Sequence, residues 1–292
     1  MGDGSLDYVR GFMQDGYHKH ISSKKSWFDL KLGEVWRYRG LAWLFTKRTF
    51  KVSYKQTVLG PAWILLNPLI TSLMHMLVFG TIAGLTTMGV PKFAFHLTST
   101  AVWAFFSACV SGCSNAFISN AGLFSKVYFP RLIMPISTVL SSTIKFAVQM
   151  LLVIATLCYF VPAGQVSPNW LAWLLIPVVL LVLGLMGMGF GIIVSSVTTK
   201  YRDLSILVGF GMQLWMYGSP VVYPLDQIGG VLRKIVSLNP MTAPMEVMRY
   251  AILGKGTILP ESIISTLFFM LVFVVVGTVL FNHVEKTFID TV

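Results

Sequence analysis

Six long apolar segments, separated by short polar or proline-rich connectors, dominate the chain. An α-helix needs about 20 apolar residues to cross a hydrocarbon core about 30 Å thick. Five of the segments reach or approach this length, and the remaining one, Leu204–Tyr217, is shorter. The pattern predicts an all-α integral membrane protein with six transmembrane helices. The predicted segments are Val58–Ala83, Phe93–Ile118, Ile136–Val161, Leu171–Val197, Leu204–Tyr217 and Ile263–Phe281.

The composition agrees with a membrane protein. Of the 292 residues, 55% are hydrophobic and 11% are charged, and the mean hydropathy is +0.74. Soluble domains carry about 25% charged residues. We therefore expect one membrane domain, preceded by an N-terminal segment and leaving little chain for a separate soluble domain.

The placement of the basic residues predicts the topology. The net charge is +11, and half of the 22 Lys and Arg residues precede the first apolar segment. Because positively charged flanks stay in the cytoplasm, we expect a cytoplasmic N-terminus, and six spans return the C-terminus to the same side. The charge lies where this topology needs it, which disfavours a nucleic-acid-binding role. The connector after the fifth segment conflicts with the rule through Arg233, Lys234, Arg249 and Lys255.

The N-terminal segment divides into two parts. Residues 1–29 are polar and predict a loosely ordered cytoplasmic arm, with no cleavable signal peptide before the first apolar run. Residues 30–54 interleave aromatic rings with basic residues, as in Trp36, Arg37, Trp43 and Lys47. This favours an amphipathic helix in the headgroup layer, although the segment could serve only as a topology signal. Residues 55–292 form the predicted transmembrane domain.

The chain lacks the residues that most catalytic mechanisms require. No Asp or Glu occurs between Glu34 and Asp203, and there is no HExxH motif and no Walker A loop. Cys109 and Cys113 share a helical face, but no neighbouring acid or histidine completes a metal site. We therefore expect packing cysteines, no metal or cofactor in this chain and no enzymatic activity. Any active transport must draw its energy from another subunit.

Five strings, in order and at matching spacing from about Trp36 onwards, resemble the ABC-2 type permeases that export polysaccharides. The strings stand in the first apolar segment, in both predicted cytoplasmic turns and in the outer connector. They are Tyr54–Trp63 with Asn67-Pro68-Leu69, Asn120–Arg131, Tyr201-Arg202-Asp203, Ser219–Pro224 and Leu238-Asn239-Pro240-Met241.

The resemblance implies a homodimer of six-span permeases joined by two separate ATPase subunits, which hold the ATP and magnesium. Members of that family export lipid-linked O-antigen, capsular polysaccharide or teichoic acid. For this chain it implies O-antigen export from the cytoplasmic side of the bacterial inner membrane. The expected partners are a second copy, two ATPase subunits, a lipid-linked polysaccharide and membrane lipid, and no nucleic acid.

The two short cytoplasmic turns carry the candidate coupling residues. The resemblance implies that these turns sit in grooves on the ATPase and transmit its closure. The alternative is a positively charged topology anchor in which Arg202 and Asp203 cap helix ends. The candidates are Phe124, Lys126, Tyr128, Arg131, Tyr201, Arg202 and Asp203.

The candidate translocation path combines a polar stripe with aromatic side chains. Thr138, Ser142, Lys145 and Gln149 recur at helical spacing, so they share one face of the third segment. Lys145 could attract the pyrophosphate of a lipid-linked substrate, or it could extend to the interface. Aromatic rings could stack on sugars, or they could pack in the core. The path candidates are Trp63, Trp103, Phe106, Ser142, Lys145, Gln149, Trp215 and Tyr217.

The connector after the fifth segment predicts an outer gate. Ser219-Pro220 and Tyr223-Pro224 directly follow a short apolar segment, which favours helices that re-enter the membrane over an ordinary surface loop. Glu246 and Arg249 are three residues apart and can pair on one helical face. The gate candidates are Pro220, Tyr223, Pro224, Pro240, Glu246 and Arg249.

Three other functions stay open on the sequence alone. The chain could be an ABC-2 exporter of a drug or lipid, a membrane-embedded glycan enzyme or a passive scaffold. The long stretch without acidic residues argues against the enzyme, because glycan chemistry usually requires acidic or histidine groups near the membrane face.

Overall fold

The computed structural model of the protein describes residues 32–55, 57–124, 129–198 and 203–290. Within these ranges the chain forms helices, turns and irregular segments, and no β-strand. In chain order the helices are α1 (Leu32–Arg37), α2 (Arg39–Tyr54), α3 (Trp63–His75), α4 (Lys92–Ser119), α5 (Ala121–Phe124), α6 (Ile133–Phe160), α7 (Ile176–Thr198), α8 (Leu204–Tyr217), α9 (Gly230–Ser237), α10 (Thr242–Leu253) and α11 (Pro260–Asp290).

Short helical turns extend two of the spans. A 3₁₀ turn, Gly60–Ala62, precedes α3, and a π-helical segment, Met76–Ile82, continues it. Another 3₁₀ turn, Trp170–Leu175, leads into α7. Pro61 lies in the first of these turns and Pro68 lies inside α3. With the turns included, these two spans reach 23 and 29 residues, enough to cross a bilayer.

Among the described residues, five helices are long and apolar enough to cross a membrane, as the sequence predicted: Gly60–Ile82, Lys92–Phe117, Ile133–Phe160, Trp170–Thr198 and Pro260–Asn282. The remaining predicted span, α8, is the fifth in chain order; it is helical but has only 14 residues. The total of six spans therefore stays a prediction.

Two helices are longer than the apolar pattern indicated. α6 begins at Ile133, before the predicted Ile136, because Pro135 falls in its first turn, where a missing backbone N–H is harmless. α11 runs to Asp290, nine residues beyond the predicted Phe281. The sequence after Gly277 contains neither Gly nor Pro, so the helix continues past the end of its apolar stretch.

Helix α4 forms the centre of the protein. In its most apolar stretch 78% of the residues are buried, against 17–28% in the other four long spans. It contacts α3, α6, α7, α8 and α10. The remaining spans therefore surround α4 and turn much of their apolar surface outward, as expected for helices in lipid.

Small residues bring α4 and α7 into close contact. A Cβ atom on Gly187 would lie 2.8 Å from Cys109 Cβ, and one on Gly191 would lie 2.7 Å from Cys113 Cβ. Both cysteines are fully buried, so their interpretation as packing residues is confirmed. Such small-residue contacts let helix backbones approach in membranes.

Helix α2 packs along the first half of α6. The Ser137 hydroxyl donates to the Ala42 carbonyl (3.1 Å), and the Thr46 hydroxyl donates to the Ser137 carbonyl (3.4 Å). All three residues are buried. The predicted N-terminal helix is therefore present and joined to the membrane domain, while its position in the headgroup layer stays a prediction. The predicted arm, residues 1–29, lies outside the described residues.

Candidate functional site

The outer connector is organised around a buried ion pair. Arg249 Nη1 lies 2.8 Å from Glu246 Oε1, and neither side chain is exposed. The two residues are one turn apart on α10, as the sequence predicted. Breaking such a pair from one side leaves a charge buried without compensation. Because Arg249 is buried against Glu246, it is not a free positive charge.

Arg249 also joins three separate parts of the chain. Its Nε and Nη2 atoms donate to the Ser99 hydroxyl on α4 at 3.0 and 2.8 Å. Nη2 donates as well to the carbonyl of Pro220 and, at 3.2 Å, to that of Val221. The guanidinium carbon lies 4.0 Å from the centroid of the Phe95 ring, within cation–π range. One side chain thus holds the segment after α8 and helix α10 against α4.

The second carboxylate oxygen of Glu246 holds the segment that follows α10. Glu246 Oε2 accepts a hydrogen bond from the Thr257 backbone N–H (2.9 Å), and the Thr257 hydroxyl donates to Asp226 Oδ1 (2.8 Å). Asp226 lies 3.7 Å from Arg233 on α9. Polar contacts therefore run from the buried pair to the exposed rim of the connector.

Asn239 fixes the turn between α9 and α10. Its Oδ1 accepts from Trp215 Nε1 (3.1 Å) and from the Met241 backbone N–H (3.0 Å). Its Nδ2 donates to the Gly218 carbonyl (3.0 Å) and to the Ser219 hydroxyl (3.1 Å). Asn239 therefore connects the end of α8 to the start of α10.

The structure brings the six gate candidates into one region. All three prolines are buried, and the Pro220 carbonyl accepts a hydrogen bond from Arg249. Tyr223 is half-buried, with its hydroxyl 3.3 Å from the Tyr217 carbonyl. Two helices, α9 and α10, are present in this connector. Re-entry into the membrane stays a prediction. Ser99, Phe95 and Asn239 were not among the candidates, since nothing near them in sequence indicates their partners.

The aromatic path candidates separate by burial. Phe106 is fully buried and Trp103 is 8% exposed. Both pack against Trp215, with ring centroids 5.3 and 6.4 Å apart. These rings therefore belong to the core in this conformation. Trp63 and Tyr217 are 39% and 43% exposed, so they keep ring surface that a passing sugar could contact.

The polar stripe of α6 faces two different neighbours. Ser142 is buried and lies beside Cys109 of α4. Lys145 is half-buried, and its Nζ lies 5.6 Å from the centroid of the Tyr54 ring at the end of α2. Burial raises the pKa of the Tyr54 phenol, so the ring stays neutral beside the lysine. Gln149 Oε1 is buried and has no hydrogen-bonding partner within the described ranges.

Lys145 lies deeper along its helix than the sequence indicated. It is 12 residues from the observed start at Ile133, which is about 18 Å at 1.5 Å per residue. An isolated charge near the middle of a bilayer is unfavourable by roughly a few kcal/mol. The aromatic ring of Tyr54 provides one compensating contact. A role in substrate attraction stays a prediction.

The described structure covers only part of the two coupling turns. Arg131 is half-buried just before α6, and Asp203 is exposed just before α8. Phe124 is the last residue of the short helix α5, but its side chain is not among those that the structure describes. The remaining candidates also lie outside it: Lys126, Tyr128, Tyr201 and Arg202. The docking of these turns on an ATPase stays a prediction.

Two buried histidines lie between α3 and α4. The rings of His75 and His96 have centroids 6.1 Å apart, and His75 Nδ1 lies 3.5 Å from Thr100 Oγ1. Across the described part of the chain, no three His, Cys, Asp or Glu side chains lie close enough to hold a metal ion. The structure therefore offers no metal centre among those residues.

Comparisons with known proteins agree on one family. The family described as ABC-2 type transporter matches residues 41–253, from α2 to the end of α10. The chain is 29% identical over 217 residues to the O-antigen export system permease protein RfbA of Myxococcus xanthus, covering 73% of this chain and 80% of that one. Two Klebsiella pneumoniae proteins of the same name are each 27% identical over 249 residues, covering 85% of this chain and 93% of theirs.

Proposed function

The chain belongs to the ABC-2 type transporter family, and we propose that it is the permease subunit of an ATP-driven exporter of lipid-linked cell-surface polysaccharide, most specifically O-antigen. One observation carries the proposal. The family match spans α2 to α10, and the similar proteins, which align over at least 80% of their own length, are named O-antigen export permeases. The chain is an integral membrane protein, and we place it in the bacterial inner membrane with both termini in the cytoplasm.

The energy source is assigned to a partner. In this proposal two copies of the chain join two ATPase subunits, which bind ATP and magnesium, and the cargo passes outward between the copies. This chain contributes a conduit and no catalytic residue. The two cytoplasmic turns, one with α5 and one between α7 and α8, receive the movement of the ATPase.

Helix α4 provides a direct connection between the two ends. It continues without interruption for 28 residues, about 42 Å at 1.5 Å per residue. Its last turn adjoins α5, and its first half carries Phe95 and Ser99, which contact Arg249. A displacement of α5 by the ATPase therefore reaches the outer connector through a single helix. This is the step by which nucleotide binding would open the outer end.

The path itself carries little charge. Between Glu34 and Asp203 the sequence has no acidic residue, so a polymer that slides past these spans meets no carboxylate from them. Trp63 and Tyr217 offer exposed ring faces, and aromatic rings bind the apolar faces of sugars without fixing a sequence of units. Lys145 is the cationic group suited to a pyrophosphate. These properties suit a long glycan on a lipid carrier.

Reconstitution of the complex tests the proposal. The chain is co-expressed with the ATPase subunit of its own export system, and the purified complex is placed in proteoliposomes with lipid-linked O-antigen. We expect equal amounts of the two subunits and ATP-dependent movement of the glycan. A complex with a Walker A lysine substitution in the ATPase is the control. Export of small drugs or lipids in place of the glycan, or a monomeric chain indifferent to nucleotide, would refute the proposal.

A further inference from the structure

A polar cavity of about 410 Å³ lies between α4, α7 and α8, at the ends nearest to the two predicted cytoplasmic turns. Small-ligand sites commonly enclose about 300–1,000 Å³. Ser111, Ser114 and Asn115 line it from α4, Thr198 from α7 and Gly209 from α8. None of these residues was a candidate from the sequence.

The polar groups present both hydrogen-bond donors and acceptors to the cavity. The Ser114 hydroxyl donates to the Ser111 carbonyl (2.8 Å), and the Thr198 hydroxyl donates to the Val194 carbonyl (3.0 Å). A hydroxyl has only one hydrogen, so each oxygen turns unused lone pairs outward. Asn115 Nδ2 donates one hydrogen to the Ser111 carbonyl (2.9 Å), which leaves its second N–H as a donor and its Oδ1 as an acceptor. Ser114 and Thr198 are only 7% and 4% exposed, so these groups are built into the protein.

This arrangement excludes two classes of ligand. A phosphate would bring negative charge to a lining whose described residues include no Lys, Arg or His to compensate it. An acyl or isoprenoid chain would remove the Ser111 hydroxyl and the Asn115 amide from water without offering them a hydrogen bond. A neutral molecule with several hydroxyl groups satisfies both the donors and the acceptors. Val194 and Val208 add an apolar wall, which suits the apolar face of a sugar ring.

We propose that this cavity is a binding site for a neutral sugar residue on the cytoplasmic side of the protein. The inference rests on the proposed function and adds to it a site that selects the sugar part of the cargo, apart from the pyrophosphate and the lipid. The cavity adjoins the turn between α7 and α8, so movement of that turn changes the volume open to the sugar. Binding is therefore coupled to the predicted contact with the ATPase.

Site-directed labelling of the complex with its ATPase in nanodiscs tests this site. Gly209 lines the cavity, and no heavy atom lies within 4 Å of its Cβ position. Gly209→Cys therefore introduces a thiol into the cavity without a clash. The background is Cys158→Ser, since Cys158 is exposed, whereas Cys109 and Cys113 are buried. Gly211→Cys is the matched control: it has the same open Cβ position on α8 but does not line the cavity. Ser111→Cys is a second reporter within the cavity.

We expect methyl α-D-glucopyranoside to slow the reaction of Gly209→Cys and Ser111→Cys with a water-soluble maleimide severalfold, and to leave Gly211→Cys unchanged. Sodium phosphate at equal concentration should give no protection. Adding Asn115→Leu, which removes the Oδ1 acceptor at similar size, should abolish the protection by the glycoside.

Three results would overturn the inference. These are equal protection by phosphate, protection of the Gly211→Cys control, and no protection by the glycoside of either cavity reporter. The export assay on the unsubstituted complex is independent of labelling. Normal export without protection refutes the sugar site alone, and protection without polysaccharide export refutes the proposed function alone.

Discussion

The Arg249 guanidinium donates two hydrogen bonds to the Ser99 hydroxyl, although the two residues are 150 positions apart in the sequence. This contact fixes the outer connector to the central helix α4, and the buried pair with Glu246 keeps the cation in place. The connector after α8 is therefore held by a polar cluster whose members come from three regions of the chain.

Because Glu246 and Arg249 form a buried ion pair, we expect the stability effects of substituting them to be strongly coupled. Arg249→Met leaves the Glu246 carboxylate buried without its cation, and losing one partner of such a pair costs about 3–5 kcal/mol. Glu246→Leu combined with Arg249→Met removes both charges and should destabilise the protein less than the sum of the two single changes. The midpoint of thermal unfolding in detergent measures this. Additive losses would show that the two charges are not coupled.

Asn239 allows its acceptor and donor roles to be separated. Asn239→Asp keeps an oxygen for Trp215 Nε1 and the Met241 N–H but loses the donor to Gly218 and Ser219. Asn239→Leu loses both roles and leaves buried groups unpaired, at about 1–3 kcal/mol each. We expect the Leu variant to unfold at the lower temperature of the two. If both variants match the unsubstituted protein, Asn239 does not hold this turn.

The crossing of α7 and α11 requires glycine on both helices. A Cβ on Gly189 would lie 2.6 Å from the Phe273 carbonyl carbon, and one on Gly277 would lie 2.8 Å from the Gly189 oxygen. Gly189→Ala should therefore push the helices apart and lower stability by about 1–3 kcal/mol. Gly211→Ala, on an open part of α8, is the control and should change little. Equal unfolding midpoints for both variants would contradict the close contact.

The contact between Lys145 and Tyr54 separates a path role from a structural one. Lys145→Met removes the charge at similar length, and we expect slower export of the lipid-linked glycan in proteoliposomes at normal ATPase assembly. Tyr54→Phe keeps the ring beside the ammonium group and should export normally. Tyr54→Leu removes the cation–π contact and should lower stability without reproducing the loss of export. Unchanged export by Lys145→Met rejects a role in substrate attraction.

A substitution in the first predicted cytoplasmic turn should uncouple ATP hydrolysis from export. Phe124→Asp replaces an apolar anchor with a charge, so the permease should insert and assemble while ATP hydrolysis no longer drives export. Phe124→Leu keeps an apolar side chain and serves as the control. The ratio of glycan exported to ATP hydrolysed measures coupling. Normal ATP-driven export by Phe124→Asp would show that this side chain does not transmit the movement.

The positions of the spans could be predicted because apolar length is a local property of the sequence. Both ends of the first four long spans fall within about three residues of the predicted segments. The ion pair between Glu246 and Arg249 could also be predicted, since helical spacing alone brings residues three apart onto one face.

The partners of those residues could not be predicted, because they depend on how the helices are arranged. Nothing in the sequence connects Ser99 with Arg249, or Asn239 with Trp215. For the same reason the sequence indicated aromatic faces at Trp103 and Phe106 but not the neighbouring helices that cover them. The cavity between α4, α7 and α8 was missed because its serines, threonine and asparagine are unremarkable one by one.

The attachment of Arg249 to segments on both sides of α8 restricts how the connector after α8 can move. If one of these segments detached alone, the buried Arg249 cation would lose part of its hydrogen bonds. The residues between 218 and 257 should therefore move together as a single lid. Amide protons across that lid should then exchange with deuterium in one cooperative event, triggered by nucleotide, and not residue by residue.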